Sequence, residues 1–257
     1  MSGQPRSLAI AAFFDLDGTM VPRPSLERRL VGALLYRHAI PASGLVRWPI
    51  EFLRLARRGF TYARHANKMH FRGILAEQLA ALARQLTARR RVLFFPQALE
   101  RVAWHAARGH AIVLVSGTPN ELARSAAWSL AGEVLKRDLT ATIFVRATDL
   151  EMVSGRSTGR VQGEPVFGRA KALAVEAFSL ELGLNLAACY AYGDSIHDRA
   201  MLERVGHPLA VNPSPSLERL ARARNWPSVR WAWPAQSASR LAGCNTPFMK
   251  ENVENLG

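Results

Sequence analysis

The sequence predicts an α/β fold with a Rossmann-like parallel sheet as its core, helices on both faces of the sheet, and an inserted helical cap domain. Two observations support this fold class. Short apolar runs at residues 8–14, 111–115 and 187–192 each end in a polar turn, and helical stretches alternate with them. Between the first two runs, residues 25–91 are rich in Leu, Ala and Arg at helical spacing, which indicates an insertion of three or four helices.

The remaining elements follow from the same patterns. Residues 152–166 are glycine-rich and predict a hairpin-like excursion from the sheet. In chain order, the other predicted elements are a helix over 95–108, a helix over 120–130, a strand over 141–146, a helix over 169–182, a helix over 198–205 and a strand over 208–211.

These elements predict a division of the chain into two domains and a tail. We expect residues 1–22 and 95–235 to form the Rossmann-like core, and residues 23–94 to form the cap. From Trp226 the chain has several Pro, Ser and Asn residues, so we expect it to become progressively less structured and to end in a disordered tail over 236–257.

The composition favours a cytoplasmic protein. No apolar run approaches the roughly 20 residues that cross a bilayer, so no transmembrane helix is expected. Residues 1–7 are short and polar and are not followed by a signal-peptide cleavage pattern, which argues against secretion. Two cysteines, Cys189 and Cys244, stand alone rather than in a metal-binding spacing.

The chain is strongly basic. It has 34 Lys and Arg against 20 Asp and Glu, for a net charge of +14. Such a field attracts anions, so a solvated surface, an anionic substrate and an acidic membrane surface all stay open as its explanation. Nucleic acid is not an expected partner, because the sequence has no RRM, KH, zinc-finger or helix-turn-helix signature.

Two carboxylates follow the first predicted strand. Asp15 and Asp17 lie two residues apart in a segment that continues with Gly18 and Thr19, so both side chains can reach one site. One could then act as a nucleophile and the other as a proton donor. A simple turn and a calcium loop are the alternatives, but position twelve of an EF-hand loop requires Glu and is Leu26 here.

A second polar segment follows the next buried strand. Ser116, Gly117 and Thr118 precede a predicted helix, so a hydroxyl and free N–H groups could hold an anion. Ordinary helix capping by Ser116 or Thr118 is the alternative. Lys171, near the start of a later helix, could bring a positive charge to the same place, or lie on the surface like other basic residues.

The third core strand also ends in acidic residues. Asp194 and Asp198 lie four residues apart across a predicted strand-to-helix turn. Carboxylates at strand ends beside a phosphate suit Mg²⁺, whereas N-capping by Asp194 or Ser195 is the structural alternative. The ends of parallel strands meet at one edge of a sheet, so these segments are expected to converge.

Taken together, the four segments resemble the motifs of the haloacid dehalogenase-like (HAD) superfamily of hydrolases, subfamily IB, the phosphoserine-phosphatase-like group. In that group a helical cap lies between the first two motifs, and the resemblance covers about residues 9–211. The motifs are Asp15-Leu16-Asp17-Gly18-Thr19, Ser116-Gly117, Lys171 and Gly193-Asp194-Ser195-Ile196-His197-Asp198.

The resemblance implies a phosphoric monoester hydrolase with two catalytic aspartates. Asp15 would attack phosphorus and become an aspartyl-phosphate, while Asp17 would protonate the leaving oxygen and later activate water. The implied cofactor is Mg²⁺, held by the Asp15 carboxylate, the Asp17 backbone carbonyl and Asp194, with Asp198 as a further ligand or as support.

The resemblance also implies a substrate-binding set and a substrate class. Ser116, the N–H of Gly117 and Lys171 would hold the transferring phosphoryl oxygens. The expected substrate is a small organic phosphate such as phosphoserine or histidinol phosphate. Two departures bear on phosphoserine: Pro24 stands where that enzyme group has a substrate-binding Glu, with Glu27 nearby, and His197 replaces a usual Asn.

The cap sequence leaves a further possibility open. Residues 45–59 combine a basic face with an apolar face containing Trp48 and Phe52, which is compatible with an interfacial helix if Pro49 falls in its first turn or kinks it. The alternative is a cap helix that buries its apolar side against its neighbours. Peripheral contact with an anionic membrane, and a lipid phosphate as substrate, therefore stay as alternatives to a small substrate.

A binding protein on the same fold is the rival from another functional class, because a fold alone does not establish activity. The presence of all the motif residues favours the enzyme. The sequence makes no prediction of oligomeric state, because apolar cap helices can pack internally or against a second copy.

Overall fold

The computed structural model describes residues 10–37, 39–88, 94–135 and 143–233. The described strands are β1 (Ala11–Phe14), β2 (Ala111–Pro119), β3 (Ile143–Thr148), β4 (Leu150–Val153), β5 (Arg156–Val161), β6 (Tyr190–Gly193), β7 (His207–Val211) and β8 (Ser228–Val229). Six of them form a parallel sheet in the order β3-β2-β1-β6-β7-β8, and β4 and β5 form a separate antiparallel hairpin. The expected parallel α/β core is confirmed.

Among the described residues, four α-helices lie within the predicted insertion, and one more follows it before β2. The described helices are α1 (Leu26–Tyr36), α2 (Ala42–Ala56), α3 (Phe60–Ala66), α4 (Ala76–Thr87), α5 (Pro96–Ala106), α6 (Asn120–Leu135), α7 (Arg169–Leu182), α8 (Arg199–Leu202) and α9 (Pro215–Ala223). Short 3-10 segments span Met69–Phe71, Leu186–Ala188 and Ile196–Asp198.

The central strands are apolar on both sides because helices cover both faces of the sheet. Phe14 and Leu114, which pair in register, contribute to the hydrophobic cluster on one face. Phe13 and Val113, one residue earlier, contribute to the cluster on the other face. Side chains alternate along a strand, so each strand supplies both clusters.

The helices divide between these clusters. Buried residues of α1, α4, α5 and α6 join the cluster that contains Phe14, whereas those of α7, α8 and α9 join the cluster that contains Phe13. Two of the inserted helices, α1 and α4, therefore share a core with the sheet. By contrast, α2 and α3 bury only a small separate cluster of Leu55, Ala63 and Ala66.

The predicted hairpin ties the cap to the core. Its backbone exchanges hydrogen bonds with the segment before α4: the N–H of Gly73 donates to the carbonyl of Ser157 at 2.7 Å, and the N–H of Ala76 donates to that of Gly155 at 2.9 Å. The N–H of Lys68 reaches the carbonyl of Gly159 at 3.2 Å. The assignment of residues 23–94 as a separate domain stays a prediction.

Several local predictions are corrected. Residues 116–119 are not a turn: β2 continues to Pro119, because pairing with β3 resumes at Thr148 after a register shift. The strand predicted over 187–192 begins only at Tyr190, since the Asn185 side chain accepts from the Ala187 N–H and starts a 3-10 turn. The helix predicted over 198–205 is a 3-10 turn followed by the short α8.

Other differences concern the ends of elements. The helix predicted over 120–130 runs on to Leu135, and Pro49 lies inside α2 because that helix begins at Ala42, earlier than predicted. Chain beyond Trp226 still forms β8 and buries Trp231. The predicted strand residues 8–9 and 141–142 and the predicted tail 236–257 lie outside the described residues.

Within the described ranges, every helix is too short or too polar to cross a membrane.

Candidate active site

The acidic pair after β1 begins the site. Asp15 is 6% exposed, and its Oδ1 accepts a hydrogen bond from Nζ of Lys171 at 2.5 Å. The Thr19 hydroxyl donates to Oδ2 of the same carboxylate at 3.2 Å. Asp15 is thus held from both sides at the carboxyl end of the central strand.

A glycine turn brings the first and last motifs into contact. Gly18 has φ of +97°, a backbone conformation that favours glycine. A Cβ built on Gly18 would lie 2.2 Å from Oδ2 of Asp194. Any side chain here would displace the Asp194 carboxylate. Glycine is therefore required at position 18 both for its positive φ and for the close approach of Asp194.

Lys171 bridges two of the predicted motifs. It lies in the first turn of α7, is buried, and donates to Oδ1 of Asp15 and to Oδ1 of Asp198, both at 2.5 Å. The surface alternative for this residue is therefore wrong. The other Asp198 oxygen accepts from the N–H of Asp194 at 3.1 Å and from the N–H and hydroxyl of Ser195, each at 2.9 Å.

Asp194 faces an arginine that the sequence analysis did not single out. Its Oδ2 accepts from Arg23 Nη2 at 2.6 Å, although most of the Arg23 side chain is exposed. Its backbone carbonyl accepts from the N–H of Ser214 at 2.7 Å. The N-capping alternative applies to Ser195, which begins the 3-10 turn, and not to Asp194.

Charges in this cluster do not balance. Burial, together with the charges of Asp198 and Asp194, raises the pKa of Asp15 well above its ordinary value despite the nearby Lys171. Burial and the Asp198 charge raise the pKa of Asp194 to about 6. Burial alone would lower the pKa of Lys171, but Asp15 and Asp198 outweigh it and raise that pKa. Three carboxylates thus surround one buried ammonium.

The excess of negative charge fits a divalent cation. Asp15, Asp194 and Asp198 each offer a carboxylate oxygen, and these oxygens lie within 4.8 Å of one another. Hard oxygen donors in a buried, negatively charged pocket are the ligand set that Mg²⁺ prefers. The carboxylate of Asp17 is not part of this group.

Asp17 instead faces the start of the cap. Its Oδ1 accepts from the backbone N–H of Leu26, the first residue of α1, at 2.8 Å, and its Oδ2 accepts from the Thr118 hydroxyl. Burial raises the pKa of Asp17, and these two hydrogen bonds oppose the shift only in part. A carboxyl with a raised pKa is suited to donating a proton.

The second motif lies beneath the cap. Ser116 is buried, and its hydroxyl oxygen accepts from the N–H of Thr118 at 3.2 Å. A Cβ built on Gly117 would lie 3.3 Å from the carbonyl oxygen of Val166 and 3.7 Å from Nδ1 of His65. His65 belongs to α3, so a cap side chain comes close to the predicted phosphoryl-binding backbone.

Three rings meet at this boundary between cap and core. His65 stacks on Phe167 with 4.4 Å between ring centroids, and His197 lies edge-on to His65 at 5.3 Å. Burial, with the nearby His197 ring, lowers the pKa of His65 to about 4, so its ring is neutral at pH 7. His197 is therefore a cap-contacting residue of the last motif.

Glu27 does not offer a free carboxylate to a substrate. Its oxygens accept from Lys68 Nζ at 2.5 Å and meet Nε2 of His70 at 3.0 Å. Burial alone would raise the pKa of Glu27, but Lys68 and His70 outweigh it and lower the pKa to about 2. This carboxylate is ionised and already paired within the cap.

The structure thus brings Asp15, Lys171, Asp194 and Asp198 into direct contact or close approach, with Asp17 tied to the second motif through Thr118. Sequence reasoning missed the roles of Thr118, Arg23, His65 and Phe167. Thr118 was within a recognised segment and could have been found. Arg23 is one of 34 basic residues, so nothing in the sequence distinguishes it. His65 and Phe167 are far apart in the sequence and come into contact only in the folded chain, so no local pattern predicts their contact.

Comparisons with known proteins identify the family of this chain. The family model described as haloacid dehalogenase-like hydrolase matches residues 12–203. "Inhibition of morphological differentiation protein" of Streptomyces azureus is 30% identical, over 92% of this chain and 84% of its own length. "Phosphoserine phosphatase SerB1" of Mycobacterium tuberculosis is 31% identical, over 92% of this chain and 75% of its own length.

A solved structure extends the similarity to the fold. A protein of unknown function from Bordetella pertussis Tohama I superposes with a TM-score of 0.67 at 29% identity, covering 86% of this chain and 97% of that one. The resemblance carried by the four motifs is confirmed by the family match. The chain belongs to the haloacid dehalogenase-like hydrolase family.

Proposed function

We propose that this chain is a Mg²⁺-dependent phosphatase that hydrolyses a phosphate monoester through an aspartyl-phosphate formed on Asp15. The proposed substrate is a small organic phosphate such as phosphoserine or histidinol phosphate. One observation carries the proposal: Asp15 is buried at a strand end, within 2.5 Å of Lys171 and beside two further carboxylates. The relative named phosphoserine phosphatase supports the reaction class.

Asp15, Asp194 and Asp198, with the backbone carbonyl of Asp17, are the residues that would hold the cation. Bound there, Mg²⁺ would neutralise the carboxylates and polarise a phosphoryl oxygen. Asp198 also positions its neighbours, because its carboxylate oxygens accept hydrogen bonds from Lys171 and from the backbone N–H groups of Asp194 and Ser195. Arg23 offers a single positive charge to Asp194 from the exposed side.

In the first step, a carboxylate oxygen of Asp15 forms a bond to phosphorus while the ester P–O bond breaks. Asp17, in its protonated form, gives its proton to the leaving oxygen, which departs as an alcohol. Lys171 stays charged and stabilises the negative charge that spreads over the phosphoryl oxygens. Ser116 and the Gly117 N–H would hold those oxygens in place.

In the second step, Asp17 is a carboxylate and takes a proton from water. The water oxygen forms a bond to phosphorus as the bond from phosphorus to Asp15 breaks, which releases inorganic phosphate and restores Asp15. The Leu26 N–H and the Thr118 hydroxyl orient Asp17 for both transfers.

The leaving group would lie between Asp17 and the cap. Glu27 is already paired with Lys68 and His70, so it is not free to bind the ammonium group that phosphoserine and histidinol phosphate both carry. The rings of His65, Phe167 and His197 line the boundary instead and suit a planar group, as histidinol phosphate has. A lipid phosphate stays the alternative substrate.

The first test uses p-nitrophenyl phosphate with Mg²⁺. Asp15→Asn should lose at least about 10³-fold in kcat, because the nucleophile is gone. Asp149→Asn is the matched control, since Asp149 is exposed and its carboxylate accepts from the Asn120 side chain, and it should retain wild-type turnover. Borohydride trapping during turnover should convert residue 15 to homoserine, which mass spectrometry detects.

The second test concerns the substrate. A panel of metabolite phosphates, with phosphoserine, histidinol phosphate and a lysophosphatidate included, should reveal one class with a distinctly higher kcat/KM. A folded, cation-loaded chain that turns over no member of the panel and gives no trapped adduct would favour the binding-protein rival and refute the enzyme proposal.

A further inference from the structure

One helix of the cap directs its apolar side away from the protein. In α2, the side chains of Leu45, Val46, Ile50 and Leu53 are between 51% and 71% exposed. Pro49 is exposed among them, and helical spacing places all five on one continuous side of the helix. We call these five residues the α2 apolar face. A contiguous exposed patch of this kind marks an interaction site rather than ordinary surface.

The opposite side of α2 fixes this orientation. Gly44, Glu51 and Leu55 are the buried residues, and a Cβ on Gly44 would lie 2.4 Å from the carbonyl oxygen of Met69. Glu51 pairs with Arg54 at 2.5 Å and with Arg160 at 3.4 Å. A rotation that buried the apolar face would expel a paired carboxylate and force larger side chains against the backbone at Met69.

Aromatic rings border the α2 apolar face. Trp48 is partly exposed and stacks on Phe52 with 5.2 Å between centroids. Phe60, the first residue of α3, is largely exposed and contacts Phe52 edge-on at 5.4 Å. Tryptophan beside an apolar surface is typical of the boundary between lipid headgroups and acyl chains.

The charges around the face have one sign. Between residues 39 and 67 the chain has five arginines and a single acidic residue, the buried Glu51. Arg47 and Arg57 are exposed on or beside α2. With a net charge of +14, two copies of the chain repel each other, whereas a surface of anionic headgroups is complementary to these arginines.

We propose that α2 and Phe60 form a binding surface for an anionic lipid bilayer. The helix lies in the plane of the interface, with the α2 apolar face among the acyl chains and the flanking arginines at the lipid phosphates. This surface is separate from the carboxylate cluster. The proposal therefore holds whether or not the chain hydrolyses a phosphate ester, and its test uses no substrate.

Vesicle flotation with the full chain tests it. Wild type should float with vesicles of mixed phosphatidylcholine and phosphatidylglycerol, and binding should weaken as ionic strength rises, since salt screens the arginines. The triple variant Val46→Ser, Ile50→Ser, Leu53→Ser should lose at least about tenfold in its partition coefficient into vesicles. It replaces three apolar side chains that would insert among the acyl chains.

The matched control is Leu180→Ser. Leu180 lies on α7 and is 88% exposed, so it is an apolar residue outside the cap that is even more accessible than those of α2. It should bind vesicles like wild type. Circular dichroism must show all variants folded. Wild type that stays unbound at low ionic strength, or a triple variant that binds as well as wild type, overturns the proposal.

Two further readouts separate lipid from a second copy. Brominated lipids should quench part of the tryptophan fluorescence, and Trp48→Phe should remove that part, because Trp48 borders the inserted face. Analytical ultracentrifugation without lipid should give a monomer for wild type. A wild-type dimer that the triple variant dissociates would show that a second copy covers the face and would refute the lipid proposal.

Discussion

The strand-end site of the core and the outer cap, α2 with α3, treat charge and apolar surface in opposite ways. At the strand ends, four charged side chains are buried and paired, and the apolar residues beneath them are hidden. On α2, apolar side chains are exposed, and the small cluster inside contains only Leu55, Ala63 and Ala66. The large hydrophobic core around the strand ends holds buried charges in fixed positions. The outer cap has a small core, so the apolar side of α2 stays exposed and is available to a binding partner.

The cap's own ion pairs illustrate the difference. Lys68 pairs with Glu27 at 2.5 Å within the insertion, and Arg58 pairs with Glu164 at 2.6 Å across to the segment after β5. The second pair is exposed and contributes little to stability.

The largest expected effect comes from removing the buried lysine of the site. Lys171→Met leaves Asp15 and Asp198 without their shared cation, which should lower the free energy of unfolding by about 3–5 kcal/mol. Turnover of p-nitrophenyl phosphate should fall by at least about 10²-fold. Urea denaturation and steady-state kinetics measure the two losses, and near-normal values of either would show that the buried charges of the site do not depend on this lysine.

The cap's buried lysine is the matched case. Lys68→Met removes an ammonium that is as buried as that of Lys171 and equally close to a carboxylate. We expect a loss of about 3 kcal/mol, since Glu27, whose side chain is only 18% exposed, keeps His70 as its remaining partner. Activity on a small soluble ester should fall far less than in Lys171→Met. Equal losses of turnover in the two variants would mean that the cap pair belongs to the reaction centre.

The pH dependence of the free energy of unfolding tests the buried histidine of the core. His105 of α5 is fully buried, its Nε2 meets the Tyr192 hydroxyl at 2.7 Å, and its Nδ1 meets Nδ1 of His110 at 2.9 Å. Burial, with the nearby His110, Arg101 and Arg108, lowers the pKa of His105 to about 3.

The direction of the pH dependence follows from the protonation of His105 in the unfolded and the folded chain. Below about pH 6.5 the unfolded chain binds a proton at His105 that the folded chain refuses until about pH 3. The free energy of unfolding should therefore fall with decreasing pH, by up to about 1.4 kcal/mol per pH unit from this group. His105→Gln should flatten the slope between pH 6.5 and 5 in denaturation curves. An unchanged slope would assign it to other groups, such as His65.

The smallest effect is expected on the exposed side of α2. Leu53→Ala should change the free energy of unfolding by less than about 0.5 kcal/mol, because its side chain contacts solvent. Leu55→Ala, two residues away on the buried side, should cost about 2 kcal/mol or more. Thermal and urea denaturation of both variants measure the contrast. A comparable cost for Leu53 would show that the α2 apolar face is covered in the free protein.

Much of the core could be predicted because its signals are local. Buried parallel strands read as short apolar runs, and polar residues at their ends mark one edge of the sheet, which is why Asp15 and Asp194 could be named beforehand. Lys171 lies on a helix and was named through the motif resemblance. Strand and helix ends were less accurate, as at residues 116–119, since pairing with a neighbouring strand decides where a strand stops. The separate roles of the individual site residues stay predictions.

By itself, the sequence determined the α/β class, the position of the insertion and the motif residues that meet at the strand ends, because side-chain periodicity and motif spacing are properties of the chain alone. Only the tertiary structure decided that Asp17 faces Leu26 and Thr118, that His65 meets His197, and that α2 turns its apolar side outward. An amphipathic pattern gives a helix two different sides. Which side is buried depends on the neighbours that pack against it, and here the Gly44 and Glu51 side has them.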